Sequence, residues 1–141
     1  MFSFVVKHLG FLKRVPLLPH LYDSLIKIRV LVTKPTLAKH IDIVEEEVSK
    51  WKGASIGVHK YGGSQFNFNA KEIAHIHSNG LLDVLFNKEI KAQLLKEGRV
   101  SDHHVFNKSG WISFYIKTED DKDYALELLK RAYGLVGDRS N

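Results

Sequence analysis

The spacing of apolar residues along the chain changes its period twice. From Thr36 to Gly53 it is helical: Leu37, Ile41, Val44, Val48 and Trp51 follow at intervals of four and three, with Thr36 at the N-cap position and Gly53 as a stop. From Ala54 the period drops to two. The runs SIGVHKY, SQFNFN, EIAHIH and LLDVLF predict four short strands, with Gly62-Gly63 and Asn79-Gly80 as turns. A helix over NKEIKAQLLKEG follows, then two strand-like runs, VSDHHVF and WISFYIK, around the Asn107–Gly110 turn. The closing helix, DKDYALELLKRAYGL, aligns Tyr124, Leu128, Ala132 and Leu135.

Strands bunched between helices and joined by hairpin-length connections argue for an α+β fold, with an antiparallel meander sheet of five or six strands packed by helices. Ahead of it stands a basic amphipathic segment, residues 2–14, read as an N-terminal helical arm. Pro16 and Pro19 break its pattern before a second apolar run, LYDSLIKIRVLV, and Pro35 closes the region. The domain division is therefore an arm over residues 1–35 and a single α+β domain over 36–141. The expected core holds Ile41, Val44, Val48, Trp51, Ile56, Val58, Phe66, Phe68, Ile73, Leu82, Val84, Phe86, Leu94, Trp111, Phe114, Leu128 and Leu129.

Charge and composition narrow the chemistry. The 141 residues include no cysteine, which removes disulfides, thiolate metal sites and cysteine nucleophiles. The formal charge of +5 belongs to the first 40 residues, which carry seven basic side chains against Asp23 alone; the rest holds 14 basic and 15 acidic residues. That imbalance disfavours a nucleic-acid surface on the sheet, although GVHKYGGSQFNF and GWISFYIK interleave aromatic and basic residues. The arm either docks on the domain or contacts a membrane surface through residues 1–14. No run approaches the roughly 18 apolar residues of a transmembrane segment, and Lys7 and His8 interrupt the only candidate secretion signal, so a cytoplasmic protein is expected. G-x-x-x-x-G-K does not occur, and the glycines of KYGGSQF are read mainly as turn residues.

Eight histidines remain as the chemical signal. His75 and His77 share a strand face by alternation. A two-residue Asn79-Gly80 turn would set His77 opposite Leu82 and His75 opposite Val84, placing both imidazoles beside Ile73, Leu82, Val84 and Phe86. Imidazoles in such company are neutral and hydrogen-bonded, or they serve a ligand. A metal set would draw on His75 and His77 with His103 or His104, and on Asp102 or Asp83 for oxygen. At most one of His103 and His104 joins, because neighbours on a strand face opposite ways. Glu72 lies an odd number of residues from both His75 and His77 and is expected on the other face.

The turn YGGSQFNFN, the run EIAHIHSNGLLDVLF, the helix end LLKEGRVSDHHVF and the strand SGWISFYI leading to LLKRAYGL together resemble the small microbial "luciferase domain" family, of unknown function, from about Trp51 to Tyr133. The resemblance points to Gly62, Gly63, Glu72, His75, His77, Gly80, Asp83, His103, His104 and Trp111. It implies no particular cofactor, substrate or light-producing chemistry. The C-terminal part also looks loosely like YjbR-type domains, small α+β folds with a suggested likeness to DNA-binding proteins. The expected function is binding of a small molecule at a histidine-lined site, enzymatic or not. Its ligand positions would be Gly62, Gly63, His75, His77, Asp83, His104 and Trp111, with His75, His77, His103 and His104 as catalytic or metal candidates. The competing reading is an interaction module with structural histidines, whose arm binds an acidic partner, nucleic acid or a membrane surface.

Overall fold

The computed structural model describes residues 18–137. The arm helix expected over residues 2–14 lies outside them. The elements are α1 (Leu18–Thr33), α2 (Pro35–Ser49), β1 (Ala54–Val58), β2 (Ser64–Phe68), β3 (Lys71–Ile76), β4 (Leu81–Leu85), α3 (Lys88–Glu97), β5 (Ser101–Asp102), β6 (Trp111–Tyr115) and α4 (Glu119–Gly137). All strand pairs are antiparallel, in the order β1-β2-β3-β4-β6-β5. The fold is thus α+β with a six-stranded sheet, a meander through β4 with β6 set between β4 and the short edge strand β5.

Proline placement differs from the expected boundaries. Pro35 occupies the first turn of α2, where a missing N–H costs nothing, so Lys34 and not Thr36 is the N-cap. Pro19 likewise falls inside the first turn of α1, so the second apolar run is a 16-residue helix. At the other end α2 stops at Ser49, and Gly53, at φ +76°, turns the chain into β1. In α3 the Asn87 side chain accepts the Ile90 N–H at 2.8 Å, and Gly98 in the left-handed region ends the helix.

Helices α2 and α4 cover one face of the sheet. Val44 and Val48 of α2, Leu128 and Leu129 of α4, and Phe66, Leu82, Val84, Ile112 and Phe114 of the strands form a single buried core. His40 belongs to this scaffold: buried on α2, its Nε2 lies 3.0 Å from Glu119 at the start of α4. Four expected core residues lie nearer the surface. Ile56 and Val58 sit on edge strand β1, Val58 with 76% of its surface exposed, while Trp51 and Trp111 are half-buried. Helix α1 packs on α2, and its Asp23 carboxylate accepts the Gly63 N–H and the Ser78 hydroxyl, both at 2.8 Å. One side chain thereby fastens the β1–β2 and β3–β4 loops to α1.

Candidate functional site

Two departures from simple alternation build the face opposite α2 and α4. Pairing between β2 and β3 runs Asn67↔Glu72 and then Phe66↔Ala74, which leaves Ile73 as one extra residue in β3. Such a bulge reverses the alternation. Glu72 therefore shares a face with His75, against the expectation that it would point away. The second departure is in the hairpin. His77 N–H donates to the Leu81 carbonyl and Gly80 N–H to that of His77, so the loop has three residues, Ser78-Asn79-Gly80, with Gly80 at φ +87°. The register shifts by one from that expected: His75 lies opposite Asp83, while Ala74 and Ile76 take Val84 and Leu82. The imidazoles consequently face Asp83 and not the apolar residues of the core.

Asp83 is the centre of the resulting cluster. It is fully buried, and the Ser113 hydroxyl donates to its Oδ1 at 2.5 Å. Its Oδ2 has the Nε2 atoms of His75, His103 and His77 at 3.2, 3.6 and 4.0 Å, yet takes part in no hydrogen bond. On the other side of the His75 ring, Nδ1 meets Glu72 Oε1 at 2.7 Å. Trp111 closes one flank, its ring 5.2 Å from that of His75.

His59 completes the cluster and was not among the sequence candidates. It follows β1 directly, is buried, and stacks on His75 with centroids 3.9 Å apart and planes 10° from parallel. His77 meets both rings edge-on. The available signal was period two in β1, which puts His59 on the same face as Ser55 and Gly57. The missing information was that the ring at this strand end reaches across β2 to His75 of β3.

Hydrogen bonding fixes which of these rings can accept a metal. His103 Nδ1 accepts the N–H groups of Val105 and Phe106, each at 3.1 Å, so its neutral ring carries its proton on Nε2 and aims a donor at Asp83. A ring so engaged has no lone pair left. His75, whose Nδ1–H goes to Glu72, keeps Nε2 for a ligand.

Protonation follows the same geometry. Burial pushes His59 down to about 4, helped by His75 and His77, and it also lowers His77 and His103. In His75 burial works in that direction too, but Asp83 and Glu72 outweigh it and raise its pKa. For Asp83, burial favours the neutral acid, and His75 and Ser113 overcome it and hold the carboxyl below its ordinary value. Without a metal, Asp83 and Glu72 favour the charged form of His75, while burial favours the neutral form of the imidazoles around it.

Two sets have ligand atoms all within 4.8 Å of one another: His59, His75 and His77, and His75, Asp83 and His103. The tautomer of His103 removes the second. Other candidates lie elsewhere. Asp102 pairs with Lys91 Nζ at 2.6 Å and donates no oxygen to the cluster. His104 is exposed and stacks behind His103 at 4.7 Å. Gly62 and Gly63 shape the β1–β2 turn at φ +90° and +83°, and a Cβ on Gly63 would lie 2.1 Å from the Ile76 carbonyl oxygen.

Fold and site together define an α+β domain with a buried histidine–aspartate centre on the face of its sheet opposite α2 and α4. Residues 70–132 match the family model described as Luciferase domain. The match bears out the resemblance over that stretch and spans Glu72, His75, His77, Asp83, His103, His104 and Trp111; His59 and the Gly62-Gly63 turn precede it. No curated protein and no solved structure matches the chain. The likeness to YjbR-type domains gains no support from these comparisons.

Proposed function

We propose that the domain binds a divalent transition-metal ion of the zinc type through His59, His75 and His77, and a small polar molecule through that ion. The observation that carries the reading is the approach of three imidazoles to within 4.8 Å of one another, beside a buried carboxylate oxygen that has no hydrogen bond of its own. A fully buried carboxylate is costly unless a cation or donor serves it, and here Oδ1 has the Ser113 hydroxyl while Oδ2 faces only the surrounding imidazoles.

Packing favours an ion over an organic molecule as the innermost ligand. His59, His75, His103 and Asp83 are buried, and among the four histidines and the aspartate of the centre His77 keeps the largest exposed fraction, 18% of its side chain, beside the part-exposed Glu72 and Trp111. What reaches the centre past His77 is therefore small. The Glu72–His75 bond is the carboxylate–histidine arrangement that orients metal-binding rings and raises their basicity. Three protein ligands leave a fourth position for water or substrate. A zinc-type ion there supplies Lewis acidity and lowers the pKa of bound water. Asp83 Oδ2 stands ready as a proton acceptor, and His103 Nε2–H as a donor.

The test is titration of Zn²⁺ into the full chain after treatment with a chelator. One equivalent is expected to bind, with release of the proton that His75 holds in the metal-free protein. His77→Ala is expected to lower the affinity by about 100-fold or more without changing the near-ultraviolet circular dichroism of Trp111. Binding that is substoichiometric, or indifferent to this substitution, would count against the proposal.

A further inference from the structure

We infer that α1 docks the domain on an anionic membrane surface. At 100° per residue, Leu21, Leu25, Ile28 and Val32 fall within an arc of about 60°. All four point outward, with 59%, 58%, 61% and 76% of their surface exposed, and Leu31 beside them has 63%. The opposite side of α1 is already engaged: Val30 is buried in the core, and Asp23 holds Gly63 and Ser78. A stripe this apolar on an otherwise exposed helix calls for a covering partner.

Charge selects the bilayer. Lys27 and Arg29 flank the stripe and Lys34 follows the helix, while the only acid on α1, Asp23, is turned inward. The preceding residues add Lys7, Lys13 and Arg14 with no acid, and the first 40 residues carry a net +6 against −1 for the rest. Aliphatic residues on one face with basic residues at the flanks are what a helix lying in the headgroup plane presents to anionic lipid. Ile28 and Leu31 also line a groove against Ala38 and Ile41 of α2, which extends the apolar surface toward the domain. No described helix is long and apolar enough to cross a membrane, in keeping with a surface contact by this element.

The experiment is flotation of the full chain with phosphatidylcholine vesicles, with and without phosphatidylserine. The wild type is expected to float with the anionic vesicles and to lose binding in high salt. The double substitution Leu25→Gln with Ile28→Gln removes two exposed aliphatic contacts and is expected to weaken binding about tenfold or more, with an unchanged melting curve. Lys27→Gln with Arg29→Gln is expected to weaken binding to the anionic vesicles by roughly tenfold while leaving the protein folded. Wild-type protein that stays with the unbound fraction overturns the inference, as does a Leu25/Ile28 variant that floats like the wild type. A drop in melting temperature for that variant shows that the chain itself covers the stripe. A wild-type dimer that the variant dissociates, with no vesicle binding, assigns the face to a second copy. None of these outcomes depends on whether a metal binds.

Discussion

Glu72 and His75 lie three residues apart on one strand and still face each other, Oε1 to Nδ1, at 2.7 Å. Alternation alone sends residues three apart to opposite faces; the extra residue at Ile73 brings them together. The contact occupies one nitrogen of His75 and frees the other. Glu72→Gln retains the shape but loses the charge, and the expected result is a 10- to 100-fold loss of Zn²⁺ affinity with little change in fold, read by competition with a chromophoric chelator.

Asp83 stabilises the metal-free protein through the charge it shares with His75. Asp83→Asn keeps an acceptor for Ser113 but leaves the His75 imidazolium facing a neutral amide. The expected cost is about 3–5 kcal/mol in denaturant unfolding, the usual penalty for half a buried ion pair. The pKa of His75 is expected to fall in the same variant, followed by NMR titration of its ring.

His103 separates a metal ligand from a hydrogen-bond donor. Because the Val105 and Phe106 N–H groups occupy Nδ1, His103→Asn is expected to retain stoichiometric Zn²⁺. The same substitution should loosen the loop between β5 and β6, detected as faster amide exchange at residues 105–109. Loss of stoichiometric binding in this variant would place His103 among the ligands.

His59 gives the metal-free protein an acid sensitivity of known sign. Its pKa is about 4 in the folded chain against about 6.5 when unfolded, so below pH 6.5 the unfolded state takes up the proton first. Stability falls as the pH drops from 6.5 toward 4, by up to roughly 3 kcal/mol at the lower end. His75, raised in the folded state, acts oppositely: its contribution is full below pH 6.5 and lost as the pH rises through its folded pKa. Comparing the loss between pH 7 and pH 4 in wild type and His59→Gln isolates the His59 part, and the variant is expected to lose less.

Much of this arrangement was legible in the sequence. Helical spacing located α2, α3 and α4, and period two located β1 to β4 and β6; all of these but the exposed edge strand β1 bury one face against a common core. His75, His77, Asp83 and His103 were named from the pattern and Trp111 from the family resemblance, and they do gather. What escaped was register. A three-residue loop in place of a two-residue one, and one bulged isoleucine, each reverse the side to which a histidine or glutamate points, and both follow from tertiary pairing that local composition does not encode. His59 escaped for a related reason, since a single histidine at a strand end acquires meaning only when the sheet order brings its ring to His75, two strands away. Asp102, offered as the alternative to Asp83 for an oxygen donor, is instead held by the buried Lys91.

The metal centre is tested most directly by X-ray absorption spectroscopy of the zinc-loaded full chain. The expected spectrum has a first shell of nitrogen at about 2.0–2.1 Å, with outer-shell scattering from three imidazoles in the wild type and in His103→Asn, and from two in His77→Ala. An oxygen-dominated shell, or an imidazole count that falls with His103 and not with His77, would contradict the assignment of His59, His75 and His77 as the ligands.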